Sequence, residues 1–410
     1  MFRLPFLFIL TGLACFALFS LTTLLQTAGW IVHSPRSPGG WFHVHLLILG
    51  GATMIAMGAM YQLLRVILQR EVFSERLGDV HYLLFTAGTA GLLAGFAFAQ
   101  VQWIAVFATL AWLGILLFAV NMTLTLLKAA QWNPVTLSAA GAMFYLVLTG
   151  LAGVAMGFNF AFHLWPAWHE RLFYTHIWLG TVGWFGLLIT GFSYKLLPMF
   201  YLAHGVPDRM AYAVFCLWNA AVLTGAVAFL TAAPFPVVLV AASVLTLAVY
   251  AYNLYIEQVR KARHKKSPGA GVLAAVYSAR ALAVFGTVAM VYALFAPDQA
   301  MDARAMVILG WAYLWGWVVL TIFGYLSKIV PFLWWTYKYG PRVGKETTPT
   351  MADLLEDRHV AYMLTAVAAS LIVLMVSLRM GNMAWTQWSG AALSLFSLSY
   401  VGLMRWVFTR

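Results

Sequence analysis

Apolar runs of about 20 or more residues recur along this chain from one end to the other, broken only by short polar stretches. A helix of that length spans the roughly 30 Å hydrocarbon core of a bilayer. Twelve candidate helices fall near 4–32, 42–64, 80–99, 103–127, 136–160, 172–197, 210–232, 235–257, 272–296, 305–327, 360–379 and 384–405. Two of the breaks, "FAQVQW" and "TAAPFP", carry no charge. Only 9% of the residues are charged, against roughly 25% in a soluble domain, and no stretch is long and polar enough for a separate soluble domain. The first run follows a basic residue as a signal peptide does. It is too long and lacks a small-residue cleavage site, so it reads as the first transmembrane helix.

Formal net charge is +12, which in a soluble protein would suggest nucleic acid. Membrane topology explains it without that partner, because lysine and arginine collect in cytoplasmic loops. With the N-terminus inside, 19 basic residues fall on the inner side against Arg36, Arg171, Arg304 and Arg379 outside, and Arg280 lies within a helix. The expectation is an integral protein of the bacterial inner membrane with both termini cytoplasmic. The run "RKARHKK" at 260–266 is an inner-loop cluster suited to anionic lipid. Cys15 and Cys216 both lie in apolar runs, and neither a disulfide framework nor a thiolate metal site is expected.

Three segments align without gaps at an offset of 133: "HVHLLILGGATMIAMGAMYQLLRV" from His43, "HIWLGTVGWFGLLITGFSYKLLPM" from His176 and "LGWAYLWGWVVLTIFGYLSKIVPF" from Leu309. Gly50, Gly183 and Gly316 match, as do Gly58, Gly191 and Gly324, and Pro198 matches Pro331. Each segment is the second helix of a group of four. The expected fold is therefore all-α and integral to the membrane, with three parallel four-helix repeats, 1–134, 135–268 and 269–410, in pseudo-threefold symmetry. Inverted repeats, which build many secondary transporters, are not the pattern.

The same topology sorts the histidines. His33, His43, His45, His163, His169 and His176 fall on the outer side, and His81, His204, His264 and His359 fall inside among basic loops. An ionisable group inside a span marks a functional site, and neutral imidazole is a common ligand of haem iron and copper. His43 and His176 share repeat register. His45, two residues from His43, is turned about 200° away on a helix. Gly50 lies on nearly the same face as His43, and Gly180 and Gly183 lie below His176, an arrangement suited to a flat macrocycle. The alternative is that these glycines let helices pack closely. His33, His163 and His169 read as loop residues, although "FHLWPAWHERLFYTH" could fold over a cofactor as a lid.

Twelve helices with histidines near the outer ends of the second and sixth resemble subunit I of the haem-copper oxidase superfamily, which includes the nitric-oxide reductases. The "HVH" at 43–45 is similar to that family's second-helix segment, which supplies an axial ligand to the low-spin haem. His176 falls where its sixth helix supplies a copper ligand. The resemblance implies haem, and copper beside it, with His43, His176 and His45 as candidate ligands. Helix seven, however, has no histidine, and helix ten carries Leu309 and Trp311, so the family's full oxygen-reducing centre is not expected. No Asp or Glu lies well inside a span, which argues against proton pumping. The chain also resembles the NnrS family of multi-span haem and copper proteins linked to nitric-oxide stress.

The expected function is haem-based electron transfer or binding of nitric oxide or oxygen, with oxidoreductase activity undecided. Membrane lipid is the expected surrounding, with a redox partner or further subunits beside it. The competing readings are a multi-span transporter and a cofactor-free assembly factor.

Overall fold

The computed structural model describes residues 3–26, 28–33, 35–129 and 132–410, except for the side chains at 32, 33 and 129. Among these residues no strand forms, and twelve helices are long and apolar enough to cross a membrane. They are α1 (Arg3–Leu25), α2 (Pro38–Leu68), α3 (Glu75–Ala97), α4 (Val101–Lys128), α5 (Pro134–Phe162), α6 (Pro166–Tyr201), α7 (Arg209–Leu230), α8 (Phe235–Lys261), α9 (Ala270–Phe295), α10 (Ala303–Lys338), α11 (Asp357–Met380) and α12 (Met383–Val407). The chain is an integral membrane protein built of helices.

Local chemistry sets the helix ends. Ser37 caps α2, its Oγ accepting from the Gly40 amide at 3.2 Å, and Pro38 takes the first helical position, where no N–H is needed. Asn133 and Thr136 form a reciprocal capping box at α5. The uncharged breaks close at Ala99 and Ala232, both with φ of 52°, a left-handed conformation that costs a non-glycine residue about 1–2 kcal/mol. Ala28 does the same at φ 55°. It ends the run expected to continue to residue 32: α1 stops at Leu25, and a separate short helix, Gly29–His33, follows. The tenth span, expected to end near 327, continues through Pro331 to Lys338.

Three helices share an irregularity. α2, α6 and α10 each contain a π-helical stretch, Leu46–Thr53, Leu179–Gly186 and Leu314–Val319, and the three final residues are spaced by 133. One seam also recurs. A Cβ on Gly58 would lie 3.1 Å from the Pro5 carbonyl oxygen, one on Gly191 2.4 Å from the Ser138 Cβ, and one on Gly324 2.3 Å from the Gly271 carbonyl oxygen. Both partners in each pair advance by 133. Backbones meet this closely only where side chains are absent or small, the usual way apolar helices gain contact in lipid.

Two compact units divide the chain. The first holds Met1–Gln62, Ser267–Ser278 and Asp302–Arg410; the second holds Leu63–Lys266 and Ala279–Met301. Arg280 of α9, in the second unit, is neutralised by Glu257 of α8 at 3.2 Å, and Glu257 also accepts from Arg260 at 3.0 Å. In the first unit, Lys328 of α10 pairs with Asp357 of α11 at 3.0 Å.

Candidate functional site

The first turn of α2 builds a fully enclosed imidazole position in the first unit. Gly40 packs on Pro35, whose carbonyl oxygen would lie 2.4 Å from any Cβ there, so the turn can close only on glycine. One turn on, His43 Nδ1 lies 2.7 Å from the carbonyl oxygen of Gly39. A carbonyl only accepts, so in the neutral ring Nδ1 carries the hydrogen and Nε2 keeps its lone pair. His43 is 0% exposed, and its Nε2 is buried without a hydrogen-bond partner. A buried unpaired polar atom costs about 1–3 kcal/mol.

Aromatic rings hold that imidazole in place. Trp30, from the short helix after α1, stacks on it at 4.9 Å and 9°, with Phe19 and Phe42 edge-on at 6.2 and 5.2 Å. Trp30 is fixed by donating its indole N–H to Thr23 Oγ1 at 3.2 Å. Trp311 of α10 lies 6.0 Å from Trp30, and Trp315, in the π stretch of α10, lies 6.0 Å from Phe19. In this unit, the indoles of α10 therefore stand beside Trp30 and Phe19, two of the three rings that flank the histidine.

The second unit holds His176. Its Nδ1 lies 2.9 Å from the Thr149 carbonyl oxygen on α5, so the same tautomer is set by a neighbouring helix. Gly153 makes room for the ring, because a Cβ there would meet His176 Cε1 at 3.3 Å. His176 is half-buried. His45, also half-buried, directs Nδ1 to the Trp41 carbonyl at 2.8 Å. His43 and His45 thus share one helix in the first unit, whereas His176 belongs to the other unit.

The glycines below the histidines serve helix packing, the alternative left open by the sequence. Gly50 faces Cys15, with Sγ 3.0 Å from a would-be Cβ; Gly180 faces Thr149 at 3.1 Å and Gly183 faces Tyr145 at 2.7 Å. Protein therefore fills the faces expected to accept a macrocycle, because at these three glycines a neighbouring side chain takes the space a Cβ would occupy.

The other histidines separate by setting. The His33 side chain lies outside the described residues. His163 is an exposed left-handed cap of α5. Asn159 ties the next segment down, its amide nitrogen 3.1 Å from His169 Nδ1 and its oxygen accepting from the Trp165 amide at 2.9 Å. The segment so held walls an open cleft of about 390 Å³ with Trp165, Trp168 and Leu172, alongside Ala155 and Leu230. His81, expected among basic loops, is 0% exposed within α3, packed on Phe85 and Phe118 at 5.9 and 5.0 Å.

Sequence reasoning missed Trp30 and the burial of His81. For His81 a signal was present, since His81, Phe85, Gly88 and Leu92 recur at helical spacing on one face. Trp30 carried none, because its position depends on the break at Ala28. Among the described residues no three His, Cys, Asp or Glu side chains converge as a metal site. No family model matches the chain, and no curated protein matches it.

Proposed function

We propose that this is a haem-binding membrane protein related in plan to haem-copper oxidase subunit I, in which His43 would hold the iron through its Nε2. One observation carries the reading: a buried imidazole with Nδ1–H held by a backbone carbonyl and Nε2 left unpartnered. That is how proteins orient a histidine that binds a metal. The imidazole fits the group, but the packed glycine faces do not fit the platform expected beneath it. Bound haem would supply a redox-active iron able to exchange electrons or hold a diatomic gas. What the chain itself contributes is a fixed lone pair and a dry aromatic wall of Trp30 and Phe19. Copper has weaker support, since no three-ligand group converges among the described residues.

The proposal includes three parallel four-helix repeats with both chain ends on the cytoplasmic side. It is supported by the π stretches and glycine seams spaced by 133 and by the bias of basic residues. With Trp311 in place of a helix-ten histidine, oxygen reduction with proton pumping is not part of it.

A reduced-minus-oxidised optical spectrum of the detergent-purified protein, with iron and copper analysis, tests the reading. The parent should show a haem signal that His43→Ala removes and His176→Ala retains. Absence of haem after expression with ample haem supply would sink the proposal and favour a transporter or assembly factor.

A further inference from the structure

A second pair of imidazoles meets in the second unit, where the end of α6 lies against the Lys/Arg run 260–266 that closes α8. α6 closes at Tyr201, and Leu202 turns the chain with a left-handed φ of 50°. Ala203 then pairs antiparallel with Arg263, just beyond α8. The pairing is extended by the His264 amide donating to the Leu202 carbonyl at 3.4 Å and the Lys265 amide donating to the Tyr201 carbonyl at 3.0 Å. In such a ladder the residues after each bridged position, His204 and His264, are diagonal neighbours on one face, within reach of long side chains. Their rings lie 5.7 Å apart between centroids with planes 42° apart, and both residues are exposed.

We infer that His204 and His264 form a two-imidazole site for a first-row divalent transition-metal ion, clamping the α6–α7 connection to the α8–α9 connection. With metal–nitrogen bonds of about 2.0–2.1 Å, two imidazoles on one tetrahedral ion place their ring centres about 5–6 Å apart. The observed spacing therefore matches a chelate with little rearrangement. Water completes the coordination, because among the described residues no third His, Cys, Asp or Glu converges. Nitrogen ligands favour Cu²⁺ over Ni²⁺ and Zn²⁺ and give no hold on Mg²⁺ or Ca²⁺, which take oxygen. Arg263 is turned away, donating to the Arg260 carbonyl at 2.7 Å, whereas Lys265 and Lys266 are exposed close by. Their charge opposes a cation, so affinity rises as salt screens it. This site is independent of the reading of His43.

Zn²⁺ binding to the purified full-length chain, followed by equilibrium dialysis, tests the inference. One Zn²⁺ should weaken by about tenfold or more in His204→Ala and to the same degree in His264→Ala. The double variant should lose no more, and His43→Ala and His359→Ala should keep the parent affinity. Zn²⁺ should also slow trypsin cleavage after Arg263, Lys265 and Lys266 in the parent and in neither single variant. Parent-like affinity in either single variant, additive losses in the double, or loss of this Zn²⁺ in His43→Ala would each overturn the site.

Discussion

His43 and His176 stand 133 residues apart in α2 and α6, each a few residues before a π-helical stretch, and both point Nδ1 at a backbone carbonyl. They differ in where that carbonyl comes from. His43 uses Gly39, four residues back in its own helix, whereas His176 uses Thr149 of α5. The first arrangement survives any shift between helices, and the second holds only while α5 and α6 stay in place. Enclosure differs as well: His43 is fully buried against Trp30, while His176 remains half-buried beside a glycine. Two histidines at matching distances from a π-helical stretch thus stand in different chemical settings.

Removing the Trp30 ring should break this contrast most strongly. Trp30→Ala deletes a buried indole and should cost about 3–5 kcal/mol, read as a lowered thermal midpoint in detergent, with His43 losing its fixed orientation. An unchanged midpoint would mean that the stack does not define the corner. Next in size is a neighbouring pair of glycines. Gly40→Ala drives a methyl into the Pro35 carbonyl and should destabilise by about 1–3 kcal/mol. Gly39→Ala, whose nearest obstacle is Ser37 Oγ at 3.9 Å, should stabilise by up to about 1 kcal/mol, since alanine suits a helix better. Equal effects from the two would remove the argument that Gly40 shapes the turn.

Gly153→Ala sharpens the other side of the comparison. The new methyl would stand 3.3 Å from His176 Cε1, so the ring must yield by a few tenths of an ångström, at roughly 1 kcal/mol or less. A histidine resonance shift at His176 without one at His43 is the expected NMR result; shifts at both would show that the corners are not independent. The smallest effect lies outside both. Asp353 accepts from the Thr350 hydroxyl and amide, each at 2.7 Å, and these donors, with Arg410 nearby, hold its carboxyl below the ordinary value of 3.8. A lowered carboxyl contributes stability that is complete above its unfolded value and fades as pH falls through the folded one. Amide exchange at 350–354 should therefore quicken only below about pH 4, while both histidine corners hold. Earlier loss would assign the turn to some other contact.

The parts legible in the sequence are those governed by local rules. Twelve spans follow from run length, and Ala99 and Ala232 turn where uncharged breaks were expected. The Nδ1 contact of His43 also belongs here, because a residue four back in a helix is always near. The Thr149 carbonyl and the Trp30 stack depend on how separate helices meet, which apolar composition does not encode. Glycine spacing shows the same limit. It marks where something approaches closely, but whether that is a porphyrin or Cys15 is decided by a neighbour far away in the chain.

The π-helical stretches carry one more consequence. A π turn closes five residues back rather than four, so it absorbs a residue that would otherwise turn everything beyond it by about 100°. In α2 it lies between the histidine turn and Gly58 of the α1 seam. The two ends of the helix are thereby uncoupled in azimuth. A lineage could gain or lose a residue at this joint and re-aim the histidine end while the seam below stayed in register.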